Sequence, residues 1–217
     1  MSLSAPRALL FDWDNTLVDT WPSIQHALAI TFEAMGQRPW TLEETKARVR
    51  ASARDSFPLL FGERAKEATA IFYRAFEAEH LGKLREREGA GAMLASLAGE
   101  GRYLAVVSNK RGELLRREAR HLGWSDYFGS LVGANDAPRD KPAVEPVELA
   151  LSSSGIARGA EVWFVGDTDI DMRCAVNAGC VPVLLRPEAP AAGEFGDAEP
   201  RFHIVSCSGL VDLLAAS

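Results

Sequence analysis

ALLFDWDNTLVDT, from Ala8 to Thr20, is the stretch on which the reading of this chain turns. A short apolar run, Ala8 to Phe11, between Pro6 and a polar cluster predicts a buried strand. That strand ends in carboxylates. Asp12 and Asp14 are two residues apart, so on an extended backbone their side chains leave on the same side, roughly 7 Å apart at the backbone. Two carboxylates so placed need a cation or a shared proton. The spacing of Asp12, Asp14 and Thr16 superficially matches the first ligand positions of an EF-hand. That loop also needs Gly at its sixth position and Glu at its twelfth, where this chain has Leu17 and Ser23.

Working outward, 217 residues with 47% hydrophobic content suit one large domain, or one domain carrying a smaller insert. A net charge of −6 with 25% charged residues argues against nucleic acid and anionic membranes as partners, since both ask for a clustered basic surface. No apolar stretch is long enough to span a bilayer, and the run near the first residues is short and interrupted by Arg7. The expected location is cytoplasmic. Cys174, Cys180 and Cys207 are an odd, sparse set without metal-type spacing, as in a reducing compartment. His26, His80, His121 and His203 are too scattered for a zinc cluster.

From Trp21 to Glu88 the pattern is helical. Ile24, Leu28 and Phe32 fall four apart, and Ile71, Phe72, Ala75, Phe76 and Ala78 form a second apolar stripe. Gly36 to Pro39 and Phe57 to Gly62 are expected breaks. Beyond Gly89, strands and helices alternate. Predicted strands lie at Tyr103 to Val107, Leu131 to Gly133, Glu161 to Val165, Val181 to Leu185 and Phe202 to Val205. Predicted helices lie at Ala92 to Leu97, Gly112 to Leu122, Pro146 to Ser153 and Asp171 to Ala178. Arg186 to Pro200 reads as a surface connection. Strands alternating with helices imply a parallel sheet wound on both faces, with ligands at the carboxyl ends of its strands.

Those ends carry Asp12 and Asp14, then Ser108 and Asn109, then Gly166, Asp167 and Asp171, with Lys141 on an irregular segment between them. Each alone has an ordinary structural reading as a turn residue, a helix cap or a surface lysine. Together, and in this order, they suggest a site.

In these motifs the chain resembles the haloacid dehalogenase superfamily, in particular its phosphatases of the phosphoglycolate phosphatase type. The resemblance rests on FDWDNTLVDT, VVSNK, RDKPAVEPV and VGDTDIDM, in that order. It implies an α/β fold: a Rossmann-like parallel-sheet core, residues 1–20 and 89–217, with an inserted α-helical cap, residues 21–88. By resemblance, Asp12 is the nucleophile, and Asp14 is the acid for the leaving alcohol and then the base for water. Mg²⁺ is the expected cofactor, held by the Asp12 side chain, the Asp14 carbonyl and Asp167, with Asp171 assisting. Lys141 stabilises the nucleophile and phosphoryl charge, and Thr16, Ser108 and Asn109 are candidates for binding the phosphoryl oxygens. The second acid favours phosphate-ester hydrolysis over dehalogenation.

The sequence departs from the family pattern at Asn15, where Gly is common, and at Trp13, where a smaller apolar residue is usual. Asn tolerates a positive φ, so the turn should be kept. Trp13 is expected to crowd or reshape the cap side of the pocket. The expected partner is a small phosphorylated metabolite, bound by a monomer or homodimer. Lys46, Arg48, Arg50 and Arg54 lie in the cap, with Arg50 and Arg54 the preferred candidates for meeting a substrate anion. A phosphomutase using the same aspartyl-phosphate, or a non-catalytic regulatory binding protein, remains an alternative.

Overall fold

The structure is a computed structural model that describes residues 5–49 and 51–215. It divides into two compact units: residues 1–18 with 86–217, and residues 19–85. The sequence expectation placed these divisions at 20/21 and 88/89. The crossings fall in two short strands, β2 (Val18–Asp19) and β3 (Arg85–Glu86). Within the first unit the Arg87 N–H donates to the Leu17 carbonyl at 2.9 Å, so the outgoing and returning chains lie side by side there.

The larger unit is built on a six-stranded sheet of order β5-β4-β1-β6-β7-β8. Its strands are β1 (Ala8–Phe11), β4 (Tyr103–Arg111), β5 (Ser130–Ala134), β6 (Val162–Gly166), β7 (Val181–Leu185) and β8 (Phe202–Ile204). Every pairing is parallel. All of β1 and β6 is buried, as expected of strands covered on both faces. The covering helices include α5 (Ala90–Gly99), α6 (Gly112–His121), α7 (Glu145–Leu151), α8 (Asp169–Asn177) and α9 (Cys207–Ala215). Leu10, Ala105, Val107, Val147, Phe164 and Ala175 belong to one buried cluster between sheet and helices. β1 lies between β4 and β6, which places the reversal of strand order beside Asp12.

The sheet carries one irregularity that the sequence did not announce. β4 runs on through Arg111, and its register with β5 shifts between Val107 and Arg111. Ser108, Asn109 and Lys110 therefore ride a bulge, a device that re-aims side chains. Gly133 on β5 permits it: a Cβ there would sit 2.5 Å from the Lys110 carbonyl oxygen and 2.4 Å from the Gly112 Cα.

The smaller unit holds α1 (Trp21–Ala34), α2 (Leu42–Arg48), α3 (Ala53–Phe61) and α4 (Ala65–Lys83). Leu28, Phe32, Phe57, Phe61 and Ala68 form its core. The break expected over Phe57 to Gly62 comes only at its end. Phe57 and Phe61, one turn apart, both bury in this core and carry α3 through Pro58, and the helix stops at Gly62 with φ of +55°.

The segment after β7 is more than a surface connection. Phe195 and Ala198 bury against Met172 and Leu184. Arg186 forms a fork on Glu194 at 2.8 and 2.7 Å, lies over the Phe195 ring, and donates to the Asp167 carbonyl at 3.1 Å.

Candidate active site

Asp12 follows β1 directly, and its N–H donates to the Val165 carbonyl of β6 at 2.8 Å. The turn beyond it closes on the Trp13 carbonyl, which accepts from the Leu17 and Val18 N–H groups. Asn15 sits in this turn at φ +64°, so the side chain standing where Gly is common takes the left-handed conformation that Asn tolerates. Asp167 follows β6. Asp171 lies in the first turn of α8, and its Oδ2 accepts from the Thr168 N–H at 3.0 Å and hydroxyl at 2.7 Å. Gly166 makes room for it, since a Cβ there would come within 2.4 Å of the Asp171 Cβ and Cγ.

These elements bring Asp12, Asp167 and Asp171 together with carboxylate oxygens within 4.8 Å of one another. Lys141, buried, places its Nζ 2.6 Å from Asp12 Oδ1 and 2.7 Å from Asp171 Oδ1. Burial opposes the lysine's charge, but Asp12 and Asp171 outweigh it and raise its pKa. The carboxylates fare differently. Burial, then the charges of Asp171 and Asp14, push Asp12 up to about 7 against the pull of Lys141. Burial, Asp171 and Asp12 likewise hold Asp167 well above the usual carboxylate range. Three clustered acids with one ammonium leave negative charge uncompensated. An all-oxygen donor set of this kind fits a hard divalent cation such as Mg²⁺. Asp171 spends Oδ1 on Lys141 and Oδ2 on Thr168, whereas Asp167 takes a side-chain hydrogen bond from Thr16 at Oδ1.

The Thr16 hydroxyl donates to Asp167 Oδ1 at 3.2 Å, which orients that acid. Ser108 Oγ accepts from the Lys110 N–H at 3.1 Å, leaving the hydroxyl hydrogen for another acceptor. Asn109 clamps the Lys141 backbone: its Nδ2 donates to the Lys141 carbonyl at 3.2 Å, and the Lys141 N–H donates to its Oδ1 at 2.9 Å. Its amide thus holds the lysine in place with one N–H and its oxygen, and the second N–H of Nδ2 is left for another acceptor. In the smaller unit, Arg48 lies over the Trp40 ring, and Arg50 lies outside the described residues.

Asp14 has a partner that sequence reasoning missed. Lys110 Nζ lies 2.6 Å from Asp14 Oδ1 and reaches Glu118 Oε2 and Oε1 at 2.8 and 3.0 Å. Glu118 Oε2 also accepts from Trp13 Nε1 at 2.7 Å. Trp13 is fully buried, edge-on to Trp124 and Phe128 inside the α/β unit. This corrects the expectation that it reshapes the pocket, and the cause is strand alternation, which sends residue 13 away from residues 12 and 14. A signal was present in α6, where Glu118 shares the buried face of Leu114, Leu115 and Ala119. A carboxylate on an apolar stripe implies a buried partner.

The family model of haloacid dehalogenase-like hydrolases matches residues 9–184. A phosphoglycolate phosphatase of Neisseria meningitidis is 30% identical over 189 residues, covering 82% of this chain and 79% of its own. A pyrophosphatase PpaX of Listeria monocytogenes is 30% identical over 208 residues and covers 95% of each chain. Among solved structures, a hydrolase of the same superfamily from Ehrlichia chaffeensis is 28% identical, with a TM-score of 0.68 over 99% of this chain and 98% of its own.

Proposed function

This chain belongs to the haloacid dehalogenase-like hydrolases and is a phosphatase; from that premise we propose that it hydrolyses a small phosphate monoester through an aspartyl-phosphate on Asp12. The observation that carries the reading is the buried Lys141 ammonium bridging Asp12 and Asp171 beside Asp167, at the switch point of the sheet. A carboxylate nucleophile splits one difficult displacement into two easier ones. In the first, an Asp12 oxygen bonds to phosphorus as the P–O bond to the alcohol breaks, and Asp14 gives its proton to the departing oxygen. In the second, Asp14 takes a proton from water as the water oxygen bonds to phosphorus, the P–O bond to Asp12 breaks, and phosphate leaves. Lys141 and the Ser108 hydroxyl meet charge on the transferring oxygens.

Mg²⁺ is the cofactor this donor set supports; the Asp12 and Asp167 carboxylates and the Asp14 carbonyl would hold it, with Asp171 beside them. When bound it supplies the positive charge that lets an anionic ester approach these acids. The helical unit is read as the cap, where Arg54 is the described candidate for meeting a second anionic group on the substrate.

Phosphoglycolate heads the substrate panel because a relative carries that activity in its name. Pyrophosphate belongs beside it, because a relative matched over 95% of each chain is named a pyrophosphatase. The test is phosphate release from these compounds, sugar phosphates and a chromogenic ester, with Mg²⁺ or EDTA, for the native protein and Asp12→Asn. Metal-dependent turnover lost in the variant is expected. Turnover that survives the substitution, or phosphoryl transfer between sugar positions without net release, would overturn the reading.

A further inference from the structure

We propose that Lys110, backed by Glu118 and Trp13, is a positioning residue for Asp14: it fixes one carboxylate oxygen and leaves the other to exchange a proton with the leaving group. This rests on the reading of Asp14 as the acid. The geometry is a closed circuit. Trp13 Nε1 donates to Glu118, Glu118 takes both of its oxygens to Lys110 Nζ, and Lys110 donates to Asp14, one residue along the chain from Trp13. Side-chain exposure is 0% for Glu118, 5% for Lys110 and 21% for Asp14. The circuit thus runs from the core outward to the single acid that meets solvent.

A buried ion pair is weak evidence for stability, because well-packed apolar residues of similar volume often do as well. What this one supplies is orientation. Nζ takes only Oδ1 of Asp14, and among the described residues no hydrogen bond is made to Oδ2. Trp13, wedged edge-on against Trp124 and Phe128, keeps Glu118 from rotating. Lys110 itself is aimed by the β4 bulge. A donor held by its second oxygen in this way presents its first to the bridging ester oxygen with little freedom left to lose.

The role separates from mere packing by leaving group. A p-nitrophenolate departs without a proton, whereas an alkoxide needs one. The test compares kcat/KM, which reports the first chemical step, for p-nitrophenyl phosphate and an alkyl phosphate in the Mg²⁺-loaded full chain. The principal variant is Lys110→Met with Glu118→Gln, so that no anion is left buried alone. Alkyl phosphate turnover should fall on the order of 10-fold to 100-fold, part of the 10²–10⁴ a general acid contributes. With p-nitrophenyl phosphate it should fall less than about threefold, with KM little changed for either.

Asp14→Asn is run alongside and should show a larger split of the same kind. Should the double variant not fold, Trp13→Phe, which removes the donor to Glu118 while keeping a smaller aromatic ring in the same place, should show a smaller split in the same direction. Equal losses on both substrates, or no loss on either, while Asp14→Asn does split them, would overturn the positioning role alone. No split in Asp14→Asn would overturn the acid role of Asp14 and this inference with it.

Discussion

Replacing Asp12 by Asn should make the metal-free protein more stable while ending its chemistry. Burial, Asp171 and Asp14 raise the Asp12 carboxyl from 3.8 to about 7 in spite of Lys141. A tenfold change in a proton equilibrium is worth about 1.4 kcal/mol, so ionised Asp12 costs the folded state up to about 4 kcal/mol. Between those two values the folded protein keeps a proton that the unfolded chain has released. The stability linked to that proton is therefore present at low pH and lost as pH rises toward about 7. Asn has the same shape and never ionises.

Urea unfolding in EDTA, between about pH 5 and pH 8, should show the variant's advantage growing with pH. The advantage should level off above about pH 7 at no more than about 4 kcal/mol. Mg²⁺ should then stabilise the native protein progressively more as pH rises through the same interval, because it binds deprotonated carboxylates, and should stabilise the variant far less. A variant less stable than the native protein at pH 8 in EDTA, or an advantage independent of pH, would refute this account of the site's electrostatics.

Gly166→Ala would press a methyl group into Asp171 at 2.4 Å; a loss of about 1–3 kcal/mol in urea unfolding is expected, with a disproportionate fall in kcat because Asp171 holds Lys141. Phe195→Ala should cost about 3–5 kcal/mol in the same assay by freeing the segment that Arg186 ties to Asp167, and a loss below about 1 kcal/mol would mean the segment is not anchored as described. Burial pushes the Cys174 thiol up to about 12 and raises Cys180 and Cys207. Iodoacetamide near pH 8 should therefore leave all three unmodified in the folded protein and label them in urea, as mass spectrometry of the intact chain would read.

Much of the parallel sheet was legible because its signals are local. β1 and β7 match their predicted spans, and the other predicted strands overlap those found, since buried parallel strands are unbroken apolar runs with turn residues at their ends. Asp12 and Asp167 could be singled out because a strand end is a position in sequence as well as in space. The bulge at Ser108 to Lys110 was not legible, because it depends on Gly133 yielding space on a neighbouring strand. The circuit through Trp13, Lys110 and Glu118 joins residues about a hundred apart, and no periodicity encodes such a pairing. Asn109 and Thr16 were singled out as candidate ligands for phosphate; the bonds they make to Lys141 and Asp167, far off in the sequence, could not be read from the motifs. A sequence motif names the residues near a site without saying which of them face the substrate and which hold the others in place.

The most direct test of the central claim is to catch the phosphoryl group on the protein. Asp14→Asn, loaded with Mg²⁺ and mixed rapidly with p-nitrophenyl phosphate, is quenched in acid, and the intact chain and its peptides are weighed. One phosphoryl group on the peptide carrying Asp12, and none when Asp12 is also replaced by Asn, is the predicted result. A phosphoryl group on another residue, or p-nitrophenol released in the first turnover without any adduct, would contradict it.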